Sequence, residues 1–303
     1  MASNTYRECV RARILLGLGA LALGTALYSI AIGAFTLTNA PRVVADLGAA
    51  SISLYAIIVA VVIGGTTVHR ELELKTIFPI LARPIRREEY VVGKYLGILL
   101  TLIVFISLDA ASVLLIVATM AGRSPVLTVG VGVAVAAIVA AAPFVWPRSA
   151  TKITAVVGLI SMAVAFFLAS PSPDEQRVVA GMALLSVCEV AIVAGIATLF
   201  SSFSTPFLSA VLTTGVFLIG RSADTLAKLP AKTFGPQIKA MGEVLSHVVP
   251  NLQVYVPPRP LLTGESDAVS LAPYLGLSAA QSLAWAVGLL TVSCLVFRRR
   301  DFL

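Results

Sequence analysis

The sequence predicts an all-α integral membrane protein, a polytopic helix bundle that forms a single transmembrane domain over residues 1–303. Hydrophobic residues make up 58% of the chain, and its mean hydropathy is +0.96. Charged residues make up 12%, against about 25% in a typical soluble domain. The apolar residues also occur in runs close to the roughly 20 residues that cross a bilayer as a helix. These observations exclude a soluble globular protein.

Eight apolar runs are candidate spans. The first does not have the form of a secretory signal, because its 22 residues exceed the apolar core of about 7–15 residues in such signals. Two others are short for a full crossing. The predicted spans are 14–35, 51–68, 95–120, 126–145, 153–169, 178–200, 205–220 and 273–297.

The basic residues predict the orientation of the bundle. With both termini in the cytoplasm and eight crossings, fourteen Lys and Arg residues face inward and eight face outward. The inward ones lie in short segments beside spans, where they have most influence on topology. We expect a bacterial inner-membrane protein with cytoplasmic N- and C-termini. The dispersed basic residues form no face for nucleic acid.

The longest predicted loop, 221–272, lies outside. Within it, Gln237–Val249 has helical periodicity, with an apolar stripe opposite a polar one. This pattern is typical of an interfacial helix on the membrane surface. The apolar stripe consists of Ile238, Met241, Leu245 and Val248.

The segment 69–94 between the second and third spans is the most charged part of the chain. Acidic and basic residues alternate there around an apolar stripe formed by Leu74, Ile77, Phe78 and Leu81. Pro79 predicts a kink, and Pro84 suits the first turn of a new helix. One interpretation is a solvated loop that only enforces topology. The interleaved acids, the stripe and the placed prolines favour an amphipathic cytoplasmic helix that docks a partner.

The entrance to the third span carries Gly93 and Gly97 in GxxxG spacing. Small residues at this spacing let two helices approach closely in a membrane. We therefore predict that both glycines are helix-packing residues.

The run ELELKTIFPILARPIRREEYVVGKYLG resembles the segment that follows the second transmembrane helix in permeases of the ABC type-2 exporter family. The likeness covers about 27 residues and agrees in order, spacing and position between spans. That family usually has six spans, so 126–169 would be an inserted hairpin. The matching residues are Glu71, Glu73, Thr76, Leu81, Pro84, Arg87, Tyr90, Gly93 and Lys94.

The resemblance implies a function and a set of partners. In such permeases the segment is a coupling helix that docks a separate cytoplasmic ATPase. The permease would form a dimer in the lipid membrane with a second copy or a related permease. Two ATPase subunits would bind to this dimer from the cytoplasm. ATP and Mg would bind to the ATPase, and this chain would hold no cofactor. The expected ATPase-docking residues are Glu71, Glu73, Thr76, Arg83, Pro84, Arg86 and Arg87.

The motifs of an ATP-binding or catalytic chain are missing from the sequence. Gly93-Lys94 does not end a GxxxxGK[ST] phosphate loop, because Glu88 stands where that motif has its first glycine. The two histidines, His69 and His247, are far apart, and no Cys/His cluster has metal-site spacing. We predict a transport subunit that is not itself an enzyme.

Two acids, Asp109 and Glu189, fall near the middle of predicted spans. Ionisable groups at that depth are costly and mark candidate functional positions. They could line the translocation path, lock the bundle, or be neutral acids bonded to neighbouring hydroxyl or carbonyl groups. The predicted topology places no Lys or Arg at their depth.

Two other functions remain open on the sequence. An ion-coupled secondary transporter would use Asp109 and Glu189 as proton sites, although no inverted repeat of the kind common in such proteins is visible. A non-transporting membrane scaffold would use 69–94 only as a docking site.

Overall fold

The computed structural model describes residues 2–10, 13–36, 39–73, 87–146, 149–228, 236–265 and 270–298, and side chains throughout these ranges except at 13, 14, 67–73, 87, 236, 238 and 247. These ranges contain helices and connecting turns and no β-strand. The helices are α1 (Ala2–Val10), α2 (Arg13–Ala34), α3 (Ala40–Glu73), α4 (Arg87–Met120), α5 (Pro125–Val145), α6 (Ala150–Leu168), α7 (Pro173–Ser201), α8 (Pro206–Arg221), α9 (Ala223–Ala227), α10 (Pro236–Val248), α11 (Arg259–Thr263) and α12 (Leu271–Arg298).

Seven of these helices, α2 to α7 and α12, are long and apolar enough to cross a membrane. They coincide with seven of the eight predicted spans. The segment predicted at 205–220 forms α8, which has 16 residues. At 1.5 Å per residue it is about 24 Å long, shorter than a hydrocarbon core of about 30 Å. Its crossing stays a prediction.

The centre of the bundle is formed by α3, α4 and α7. Their apolar windows are 67%, 67% and 72% buried inside the chain, against 11% to 28% for α2, α5, α6 and α12. Glycines bring the central helices close together. A Cβ at Gly64 of α3 would lie 2.5 Å from the Cβ of Ala197 on α7, and one at Gly48 would lie 2.3 Å from a methyl of Val113 on α4. Close backbone approach replaces the hydrophobic effect as the source of packing between helices in lipid.

The boundaries of α3 differ from the predicted span at 51–68. The helix begins at Ala40, and its backbone stays helical to Glu73. Hydropathy excluded its first turns because they contain Arg42 and Asp46. These two residues are four apart on the helix, with 3.9 Å between the guanidinium and the carboxylate, a spacing that supports a helix rather than ending it. Similarly, α4 begins at Arg87, eight residues before the predicted apolar span at 95–120, as expected of a helix that leads from the charged segment into that span.

The predicted insertion at 126–169 consists of two antiparallel helices, α5 and α6. The second packs on α4, where a Cβ at Gly158 would lie 3.2 Å from a methyl of Val104. Arg123 then joins the end of α4 to the end of α6, donating to the carbonyl of Leu168 at 3.2 Å and to the hydroxyl of Ser170 at 3.0 Å. The hairpin is therefore attached to the bundle mainly through α6.

The N-terminal helix α1 was not predicted from the sequence. It packs across the start of α4, where a Cβ at Gly97 would lie 2.5 Å from the Cβ of Thr5. Tyr6 and Cys9 are buried on the same face, and burial raises the pKa of Tyr6 to about 12. Nine residues are too few to span a bilayer, so this amphipathic helix lies alongside the span entrance.

Candidate functional site

The segment predicted to dock an ATPase falls largely outside the described residues. Thr76, Arg83, Pro84 and Arg86 lie within 74–86, which the structure does not describe. Glu71 and Glu73 lie in the last turns of α3 and Arg87 begins α4, and their side chains are likewise outside the described part. The structure therefore describes the two helices on either side of the segment, α3 and α4, but not the docking side chains.

A cluster of side chains packs around the start of α4, next to the charged segment. The rings of Tyr90 and Phe297 stack with 5.6 Å between centroids and 19° between planes. The Lys94 ammonium lies 5.9 Å from the Tyr90 ring centroid and 3.8 Å from the Glu8 carboxylate. Lys94 is buried, with 3% of its side chain exposed. The helix that emerges from the charged segment is thus joined to both ends of the chain, through α1 and α12.

Glu189 lies at the junction of three helices inside the bundle. Its carboxylate on α7 is fully buried and accepts a hydrogen bond from the Ser53 hydroxyl on α3 at 3.1 Å. The guanidinium of Arg221, at the end of α8, donates to the other carboxylate oxygen. The prediction that no Lys or Arg lies at this depth is therefore wrong for Glu189.

The error came from assigning Arg221 to an outer loop. The residue is the last one of α8, and 27% of its side chain is exposed. Its side chain also lies against its own helix, with the guanidinium carbon 5.9 Å from the Phe217 ring centroid. A long basic side chain at a helix end can reach several ångströms along the membrane normal. A lone Arg that ends a short apolar helix is the signal that could have predicted the pair.

Asp109 differs from Glu189 in its surroundings. It lies on α4 with 6% exposure, and within the described part of the chain neither carboxylate oxygen has a hydrogen-bond partner. The neighbouring Ser112 hydroxyl bonds the backbone carbonyl of Asp109 and not its carboxyl group. The structure therefore does not bring the two predicted acids into one site.

Replacing Asp109 with Leu is expected to stabilise the protein. A buried polar group without a partner costs about 1–3 kcal/mol, and Leu has the same branched arrangement of heavy atoms without that cost. We expect the free energy of unfolding in detergent to rise by about 1 kcal/mol, with Ser112→Ala as the unchanged control. A fall of similar size in Asp109→Leu would show that the carboxyl group makes a stabilising interaction.

The described residues contain no group of three or more His, Cys, Asp or Glu side chains that could hold a metal ion. Within them, the three cysteines form no disulfide, with Cys9 on α1, Cys188 on α7 and Cys294 on α12. The charged groups buried deepest inside the described bundle are Glu189, which is paired with Arg221, Asp109, and Lys94, which is paired with Glu8.

Comparison with known proteins assigns the family. A comparison with curated proteins finds no match. A family model described as ABC-2 family transporter protein matches residues 7–302, nearly the whole chain. That match agrees with the apolar helices of the structure and with the motif around the charged segment. The chain therefore belongs to the ABC-2 transporter family and is an integral membrane protein of the permease type, whose family associates with ABC ATPases.

Proposed function

We propose that this chain is the membrane subunit of an ATP-driven exporter, which docks a separate ATPase through residues 69–94 and forms the translocation path as a dimer. Family membership supports the permease role. The direction of transport, the docking segment and the dimer go beyond family membership and are proposed. ATP and Mg would bind to the ATPase, and this chain would supply the path and the docking surface.

The observation that carries the proposal is the arrangement around the charged segment. The chain changes from apolar to charged at His69, while the α3 backbone continues as a helix to Glu73. On the other side, α4 begins at Arg87 and runs without a break for 34 residues to Met120. The charged segment thus connects two long central helices and includes the end of the first and the start of the second. A movement imposed on it would be transmitted directly into the core of the bundle.

The packing at the start of α4 supports this role. Lys94 is held by Glu8 and lies over Tyr90, and Tyr90 stacks on Phe297. The start of α4 therefore packs against both α1 and α12. A helix that transmits force from a docking segment requires such support. Charged side chains suit a contact that must form with a soluble partner, because they give specificity and fast association.

The test is recovery of an ATPase with the tagged chain. Purified in mild detergent from its natural host, the chain is expected to bring down vanadate-sensitive ATP hydrolysis in a separate polypeptide. Replacing Arg83, Arg86 and Arg87 together with Ala should reduce the recovered activity at least tenfold, because charge-assisted contacts to a partner contribute about 2 kcal/mol or more.

The matched control replaces Arg148 and Lys152, two basic residues of another predicted cytoplasmic loop. This double variant should retain the recovered activity. Equal losses in the two variants would indicate a general effect of charge on insertion. Unchanged recovery in the triple variant would remove 69–94 as the docking segment.

Of the two buried acids, Glu189 fits a locking role better than a proton pathway. Glu189 is bonded to Arg221 and Ser53 and so joins α3, α7 and α8. A charge held by a permanent partner is poorly suited to repeated proton exchange. We infer that Glu189 locks the bundle. Asp109, which has no partner among the described residues, is the better candidate for lining the path.

A further inference from the structure

We propose that residues 249–265 form a gate on the predicted outer face, and that Arg259 is its latch. We call this segment the outer strap. The use of the gate, to close the exit of the path, rests on the proposed exporter function. The latch itself rests on contacts within this chain.

The strap packs into the bundle along its first half. Leu252 and Tyr255 are fully buried. The Leu252 amide donates to the Gly220 carbonyl at the end of α8 at 3.0 Å, and the Tyr255 hydroxyl donates to the Ser278 carbonyl on α12 at 3.3 Å. Tyr274 of α12 returns a hydrogen bond to the Val254 carbonyl. This half is inserted between α8 and α12.

The second half of the strap is held by charge. Arg259 begins α11 and has 19% of its side chain exposed. One guanidinium nitrogen donates to the Asp46 carboxylate on α3, and the other donates to Glu175 in the first turn of α7 at 3.0 Å. The planar guanidinium can bond two acceptors in fixed directions, which an ammonium cannot do as well. Arg259 therefore connects the strap to two of the three central helices.

The layer beneath the strap is polar and incompletely bonded. The hydroxyl group of Ser278 on α12, whose backbone carbonyl accepts from Tyr255 of the strap, is buried and has no hydrogen-bond partner within the described residues. The Ser282 hydroxyl, one turn from Ser278, bonds the Cys188 carbonyl at 2.7 Å. Unsatisfied hydroxyl groups would gain partners from water. The layer is thus suited to becoming hydrated when the strap lifts, whereas an apolar layer would resist it.

The same helix carries the latch acid and reaches the proposed docking segment. Asp46 lies in the second turn of α3, and the helix then runs past Ser53 and Gly64 to Glu73. At 1.5 Å per residue, its 34 residues span about 51 Å. A displacement of the docking segment along α3 would therefore also move Asp46. In response, Arg259 could form or break its hydrogen bond to Asp46 while it stays bonded to Glu175.

The test measures access to the layer beneath the strap in the full chain in detergent. Cys188 and Cys294 are replaced with Ser, Ser278→Cys supplies a thiol under the strap, and the buried Cys9 of α1 reports on global unfolding. A charged methanethiosulfonate reagent is added, and peptide mass spectrometry follows each thiol. In Arg259→Gln, and in Asp46→Asn with Glu175→Gln, labelling at position 278 should be about tenfold faster, the effect of losing charge-assisted hydrogen bonds.

Arg42→Gln is the matched control, because Arg42 lies near Asp46 but is not bonded to the strap. It should leave labelling at position 278 unchanged. Arg259→Lys, which retains the charge, should give an intermediate rate. Equal rates in all variants, or a rise at position 278 only together with Cys9, would overturn the latch. No ATPase takes part in this measurement, so its failure would leave the proposed function intact, and failure to recover an ATPase would leave the latch intact.

Discussion

Glu189→Gln is expected to lower the free energy of unfolding by about 3 kcal/mol, the lower end of the cost of breaking a buried ion pair. The substitution removes the negative charge and leaves the Arg221 guanidinium without its counter-charge inside the bundle. The lower end applies because 27% of the Arg221 side chain is exposed, so water can partly solvate the orphaned cation. Unfolding by sodium dodecyl sulfate in mixed micelles measures the change.

The control is a double-mutant cycle with Arg221→Met. Each single substitution should be strongly destabilising, and the double variant should lose less than the sum, because neither charge is then left alone. Ser53→Ala, which removes the hydroxyl group bonded to the same carboxylate, should cost about 1 kcal/mol. Additive losses of Glu189→Gln and Arg221→Met would contradict a direct pair.

Gly64→Leu is expected to destabilise the bundle by about 3 kcal/mol or more, the upper end of overpacking costs. A Cβ at this position would lie 2.5 Å from the Ala197 Cβ and 3.8 Å from its Cα. Neither atom belongs to a flexible side chain, so α3 and α7 must separate. Because these two helices form the centre of the bundle, the loss should appear as a lower thermal midpoint and as aggregation during purification.

Gly24→Leu is the matched control. Gly24 also lies in a transmembrane helix, α2, but no atom lies within 4 Å of a Cβ built there. Each substitution replaces a helical glycine, and this replacement alone favours the helix by about 1 kcal/mol. The difference in stability between the two variants therefore reports packing alone. Similar stabilities of the two variants would show that α3 and α7 do not touch at Gly64.

Hydropathy predicted the helical bundle well because each span must satisfy its backbone hydrogen bonds internally and face lipid. It located seven long apolar helices, and helical periodicity located α10 within the loop predicted at 221–272. It failed at helix ends, where charged residues continue a helix beyond the apolar run. Arg42 and Asp46 are the clearest example, since they extend α3 by paired charges that hydropathy counts only as a penalty.

The polar contacts of the candidate sites depend on tertiary structure that the sequence does not display. Glu189 and Arg221 are 32 residues apart on different helices, and Arg259 lies 213 residues from Asp46. Their pairing requires the packing of α3, α7 and α8 to be known first. The helix α1 was missed for another reason, because its nine residues are too short for a hydropathy signal and its burial depends on Gly97.

The central claim is that the energy for transport is supplied outside this polypeptide, and photolabelling with an azido analogue of ATP tests it most directly. The tagged chain is purified with its bound partners, irradiated with the analogue, and separated by size. The label should appear on a separate chain and be competed by ATP, and this 303-residue chain should carry none. ATP-competable label on this chain would contradict the account.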